Sequence, residues 1–423
     1  MTLNRINLVG GLRLLTLILG ALITILMTRQ LINIFGIDGY AKYAVITAIP
    51  SLIPFADLGL GLSVFNIYAK QHSDRPLTLE EKENISLAFY LICFFASFAF
   101  ITICLLLNVQ HFERLFNKNI PYLYDYSTFL ILGITFFSTP LTLGFRKMYG
   151  NGNVLKAILL SFLIPFFNLI LTFLLILYTQ RADRWIVFAP SISYLIANLI
   201  AFIHAGVYKD LIPLTFYHFR SKSFQLLTFA WYATLFNTLI AVMLQLPKFY
   251  FANQNAQVSV SKYAILLLVG SSLGSLVSAY ASVLVPTYKK NRYTSKGLEP
   301  LIPTRKISIL ILAIGLVGFI YGPIFLKGIF NIEFSYFEFF ISETAFIVYL
   351  LWVFYNSFLT EMNDLKNLLV VGLLISLSLV AFLYITGVQS FSLCITFLFL
   401  LFFLLLLIFS VFRIFMIKGN TYE

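Results

Sequence analysis

Few side chains in this sequence are equipped for chemistry, and those few stand inside long apolar stretches. Asp57 lies near the middle of the 27-residue stretch from Tyr43 to Ala69, within Ala56-Asp57-Leu58-Gly59-Leu60-Gly61. A lone carboxylate at the centre of a membrane-length helix is unfavourable by roughly 2.5–3.5 kcal/mol, so it must face protein, water or a substrate path. It could pair with Arg13 or Arg29, or it could carry a coupling proton. Glu343, about one turn into a later apolar stretch, is a weaker coupling or gating candidate of the same type. Arg13 and Arg29 are separated by only 15 residues, Leu14 to Thr28. That is about 22 Å of helix against a hydrocarbon core about 30 Å thick. At least one guanidinium must therefore reach inward, snorkel, or line an aqueous cavity. In a cavity it would attract an anion, and its planar fork donates to phosphate in a bidentate manner.

Other polar groups read more plainly. His204, near the end of an apolar stretch, suits helix packing or the membrane interface better than a proton relay. Asn168, Asn198 and Asn237 suit interhelical hydrogen bonds, and could equally contact sugar hydroxyls. Cys93, Cys104 and Cys394 lie in apolar runs without ligand spacing, which argues against a disulfide framework and a zinc site. No nucleophile–base pair, phosphate-cradling glycine loop or metal cluster is present, so no cofactor is expected beyond a coupling ion.

The elements that position these residues are membrane spans. The chain is 60% apolar and 11% charged, with 46 Phe and 24 Tyr, where a soluble domain has about 25% charged residues. The net charge of +12 is no nucleic-acid footprint, because no basic patch lies on a soluble domain. A ruler of roughly 20 apolar residues predicts twelve spans, at 11–34, 43–69, 85–108, 125–146, 154–178, 185–207, 223–247, 261–288, 306–326, 339–360, 367–387 and 391–413. Only Gly387, Gln389 and Ser390 separate the last two. The first is read as a retained span, because no small-residue cleavage site follows it. Prolines 50, 54, 140, 165 and 190 fall within spans and read as kinks. With the N-terminus inside, 20 of the 29 Lys and Arg residues gather on the inner side, which predicts both termini in the cytoplasm.

The chain also repeats itself. Lys42-Tyr43-Ala44 opens the second predicted span, and Lys262-Tyr263-Ala264 opens the eighth, 220 residues later. Six spans followed by six predict an all-α polytopic membrane protein of about 12 transmembrane helices. Its two six-helix halves, 1–222 and 223–423, would be related by a pseudo-two-fold axis along the membrane normal, as in transporters. Arg29, Lys42, Lys248 and Lys262 are placed in the outward turns of the two repeated hairpins. Lys42 and Lys262 are expected there as solvated surface cations.

Gly36…Gly39-Tyr40…Tyr43 followed by Asp57-Leu58-Gly59-Leu60-Gly61 resembles the first hairpin of the Wzx-type polysaccharide flippases. These belong to the multidrug/oligosaccharidyl-lipid/polysaccharide (MOP) exporter superfamily. Leu141 to Asn153, with Gly144-Phe145-Arg146-Lys147 and Gly150, resembles that family's turn between spans 4 and 5. Lys248 to Ala264 resembles its second-half hairpin, although Pro247-Lys248 stands where an acidic-basic pair is common. The resemblance implies a multi-pass protein of the bacterial inner membrane. It would move O-antigen or capsule repeat units, linked by pyrophosphate to undecaprenol, from the inner to the outer leaflet by alternating access. Coupling would be to H+ or Na+, and a polysaccharide polymerase and a chain-length regulator would be partners. Carried onto this chain, Arg13, Arg29, Arg146 and Lys248 become the anion-attracting cavity, and Asp57 and Glu343 the coupling or gating groups.

Rival readings differ in what they require. A multidrug exporter of cationic drugs should carry acidic cavity residues, whereas here cations outnumber Asp57. A lipid II flippase usually has more than twelve spans. An O-antigen polymerase or polyprenol-dependent glycosyltransferase needs a large outer loop or an acidic motif. The longest outer loop, Val109 to Tyr124, has Glu113 without a partnering carboxylate.

Overall fold

A computed structural model describes residues 3–51, 60–70, 76–107, 126–178, 185–213, 216–293, 301–356, 362–386 and 390–419. Regular structure among them is entirely helical. Eleven helices among the described residues are long and apolar enough to cross a membrane. The second predicted span is described only in part, because 52–59, with Asp57, lies outside the described residues. The chain forms two compact units, Met1–Ala241 and Val242–Glu423.

In the first unit, α1 (Leu3–Ile46) covers the first predicted span and the start of the second. The predicted turn from Gly36 to Tyr40 contracts to a single break at Gly36, with φ 71° and ψ −179°. Glycine adopts that conformation without the Cβ penalty other residues meet. Arg29 and Lys42 are thus helical, not turn residues. After α2 (Ala48–Ser51) and α3 (Leu60–Lys70), α4 (Leu79–Leu107) starts at a reciprocal cap. The Thr78 amide donates to Glu81 Oε2 at 2.8 Å, and the Glu81 amide donates to Thr78 Oγ1 at 3.2 Å. Two orphan N–H groups are satisfied, so the helix begins before the apolar run does.

The predicted span at 125–146 is built in two pieces, α5 (Tyr126–Ser138) and α6 (Leu143–Gly150), joined by a 3-10 turn at Pro140–Thr142. Pro165 stays inside the unbroken α7 (Val154–Tyr178). Pro190 is not a mid-span kink, because it occupies the first turn of α8 (Ala189–Ala205), where its missing N–H has no partner to lose. Gly144 of α6 lies against the backbone of Ala201 and Phe202 of α8, and an added Cβ would come within 2.4 Å of it. Helices in lipid gain nothing by hiding apolar surface from one another, so such close backbone approach is what joins them.

The unit boundary falls within α9 (Phe216–Asn253). The next helix, α10 (Gln257–Tyr293), follows after only three residues, with Asn255 at φ 56°. The predicted turn from Lys248 to Val260 is therefore far too long, and Lys248 and Lys262 both lie in helices. In the second unit, α11 (Leu301–Phe330) packs on α12 (Tyr336–Asn356). α13 (Met362–Thr386) precedes α14 (Phe391–Ile395), a π-helical turn at Thr396–Leu401 and α15 (Phe402–Gly419). The core is aromatic. Phe346 lies 4.8 Å from Phe399, Tyr349 4.9 Å from Phe403 and Trp352 5.1 Å from Phe403, measured between ring centroids.

Candidate functional site

Two of the predicted site residues lie within electrostatic reach of one tyrosine. Arg13, half-buried on α1, and Arg146, on α6, both act electrostatically on Tyr149. The tight turn before α6 sets Arg146 and Lys147 consecutively on that short helix. Arg29 is exposed and has no partner among the described residues. Glu343 is half-buried on α12, and its carboxylate lies against Gly318 of α11, 2.5 Å from where a Cβ would stand there. It has no ion-pair partner among the described residues. Asp57 lies outside them.

Lys248 is the most informative. It is only 8% exposed, and no hydrogen bond or ion pair reaches it from the described residues. It ends a polar line on α9. Thr234, Thr238, Gln245 and Lys248 follow one another at spacings of four, seven and three residues, so they share one helical face. Thr234 Oγ1, Thr238 Oγ1 and Gln245 Oε1 are all buried without a partner among the described residues. Native structures leave few buried polar atoms unsatisfied, and each one asks for an explanation. A line of two hydroxyls, an amide oxygen and an ammonium can serve hydroxyl groups along its length and an anion at its end. Sequence reading singled out Lys248 and missed the other three. Their helical spacing in a mostly apolar stretch was the signal available.

Two cations read differently in the structure. Lys262 is no solvated surface group: its Nζ donates to Glu338 Oε2 at 2.8 Å and lies 5.2 Å from the Phe334 ring centroid. Lys147 pairs with Asp210, and Asp210 also accepts from the Tyr68 hydroxyl at 2.7 Å. Neither pair was visible in the sequence, since the partners stand 76 and 63 residues apart. Asn168 hydrogen-bonds the Tyr43 hydroxyl, as expected of an interhelical contact. Asn198 is buried with Nδ2 unpartnered among the described residues, whereas Asn237 is exposed.

No protein-family model and no curated protein sequence matches this chain. Solved structures do. An inward-facing multidrug resistance MATE family transporter of the MOP superfamily superposes with a TM-score of 0.61 at 14% identity, over 97% of this chain and 99% of that one. An outward-facing one gives 0.65 at 16% identity, over 97% and 96%. The fold is that of the MATE transporters. A third structure, a MOP superfamily transporter from Pyrococcus furiosus, gives 0.66 at 15% identity, over 97% and 96%. It is described as having a binding pocket of reverse polarity that suggests a different function. The MATE fold places twelve spans in two lobes, which accords with the six-plus-six reading of the sequence. Its solved examples are transporters.

Proposed function

We propose that this chain is a MOP-type exporter whose cargo carries its negative charge in a headgroup. More specifically, we read it as a flippase for undecaprenyl-pyrophosphate-linked oligosaccharide, acting by alternating access in a bacterial inner membrane. The observation that carries the reading is Lys248, buried and without a carboxylate among the described residues, at the end of a line of unsatisfied hydroxyl and amide groups. A buried charge persists only where something compensates it, and a phosphate-bearing cargo would do so. Sugar hydroxyls would satisfy Thr234, Thr238 and Gln245. The Pyrococcus furiosus structure, described as having a binding pocket of reverse polarity that suggests a different function, is consistent with a cargo other than a drug. Within the first unit, Arg13, Arg29 and Arg146 would favour a cargo of the same sign.

A multidrug exporter of the same superfamily is the second reading. Glu343, half-buried and without an ion-pair partner among the described residues, is the observation in its favour, since a cationic drug or a proton would suit it. The deciding experiment reconstitutes the chain in proteoliposomes. It follows fluorescent undecaprenyl-pyrophosphate oligosaccharide beside ethidium, with imposed proton or sodium gradients. Flipping of the lipid that falls about tenfold or more in Lys248→Met supports the flippase, because a charge-assisted hydrogen bond contributes about 1.5–3 kcal/mol. Ethidium extrusion that is lost in Glu343→Gln, with no lipid movement, establishes the drug exporter instead.

A further inference from the structure

The basic end of the first unit holds two clefts that share Lys147 and Asn151. The smaller, of about 90 Å³, is lined by Lys147, Asn151, Asn153, Lys156 and His204, with Met148 and Ala205 completing its wall. The larger, of about 300 Å³, adds Lys82 beside Tyr68 and Asp210. Every polar side chain in the smaller cleft can donate a hydrogen bond, and no carboxylate lines it. Lys147 gives one N–H to Asp210 and one to the Gly206 carbonyl at 3.2 Å, so its third remains free. Asp210 is engaged by Lys147 and Tyr68. The side chains of Asn151, Asn153, Lys156 and His204 make no hydrogen bond to described residues. Lys156 also stands in the first turn of α7, where the helix dipole is already positive. The cleft is therefore a set of convergent, unspent donors with a net positive field.

Its position narrows what could fill it. Lys156 opens one membrane-length helix and His204 closes another, and α7 and α8 pack side by side. Next to those residues along the same helices, Leu155, Leu159 and Ile203 are exposed at 38%, 47% and 56%. A molecule with a phosphate head and an apolar tail matches both features, and basic pockets between spans recognise such headgroups. We propose that this cleft binds the phosphate of an anionic membrane lipid. The site lies wholly within the first unit and does not depend on what the chain exports.

The test uses the full-length chain purified in a neutral detergent. Phosphatidic acid, phosphatidylcholine with the same acyl chains, and inorganic phosphate are titrated separately, with binding read by native mass spectrometry and by Tm. Phosphatidic acid is expected to bind and raise Tm, and the other two are not. Lys156→Ala and His204→Ala, both at exposed positions, should each weaken that binding about tenfold. Lys209→Ala, an exposed cation outside both clefts, should leave it unchanged. Equal binding of phosphatidylcholine, or undiminished binding in both cleft variants, overturns the site. Equal weakening by Lys209→Ala reduces it to a diffuse surface field and overturns it too. Binding of inorganic phosphate as tight as that of the lipid overturns the membrane-lipid assignment in favour of a soluble phosphate.

Discussion

Lys42-Tyr43-Ala44 in the first unit and Lys262-Tyr263-Ala264 in the second are the same three residues with different surroundings. Both alanines are buried to 4% exposure, and both tyrosines are held by a hydrogen bond. The partners differ: Tyr43 meets the Asn168 side chain, whereas the Tyr263 hydroxyl donates to the Leu244 carbonyl at 2.7 Å. The lysines diverge most. Lys42 is exposed and without a partner among the described residues, whereas Lys262 is paired with Glu338 beneath two aromatic rings. The alanine and tyrosine thus serve packing in both places, and the lysine takes its role from whatever carboxylate the unit supplies. A cation with a carboxylate is architecture, whereas Lys248 is buried without one among the described residues.

The packing half of that comparison predicts the largest effects. Ala44→Leu and Ala264→Leu should each destabilise the protein by about 2 kcal/mol, since overpacking a filled core typically costs about 1–3 kcal/mol. Unfolding in mixed detergent measures both. If only one of them destabilises, the two alanines are not equivalent positions and the repeat is accidental.

The charged half predicts a smaller, asymmetric effect. Glu338→Gln leaves Lys262 half-buried opposite a neutral group and removes a charge from the cap that Glu338 makes with Ser335. The expected cost is about 1–2 kcal/mol, below that of a fully buried pair because Glu338 keeps 23% of its side chain exposed. Adding Lys262→Met should recover much of the loss, and a double-mutant cycle on unfolding free energies would show it. Lys42→Ala should change stability by less than about 0.5 kcal/mol, as expected of an exposed site. A larger loss there would give Lys42 a partner after all and erase the asymmetry.

The sequence made the spans legible because lipid demands long apolar helices, and it made the last pair separable at Gly387 to Ser390. The structure ends α13 at Thr386 and starts α14 at Phe391. The hairpin of the second unit was misread for the same reason that the spans were read well. A hydropathy ruler treats Lys248, Asn253 and Gln257 as water-facing, yet all three are buried or half-buried in helices. A polar residue can be enclosed by protein as well as by water, and a single sequence does not say which of the two surrounds it. The π-helical turn at Thr396–Leu401 is invisible for another reason, since it lies in an unbroken apolar run. Lys147–Asp210 and Lys262–Glu338 required knowledge of which helices are neighbours. Of the candidate site, Lys248 was legible as an oddly placed cation, but its lack of a partner was not.

The smallest expected effect tests the rule from its exposed limit. Lys327 and Glu333 form an ion pair at 2.7 Å, with side chains 63% and 75% exposed. The ammonium of Lys327 holds the Glu333 carboxyl below the usual carboxylate range, chiefly through its hydrogen bond. Any stability from Glu333 is therefore present above the titration of an unfolded glutamate, near pH 4.3. It is lost as pH falls through the lower folded value. Water and salt screen a pair this exposed, so distance alone does not make it architectural. Glu333→Gln should leave Tm at pH 7 unchanged and should not alter the Tm profile between pH 3 and 6. A clear drop in Tm at pH 7 that disappears below pH 4 would show that an exposed pair stabilises this protein, and burial would then cease to separate structural cations from free ones.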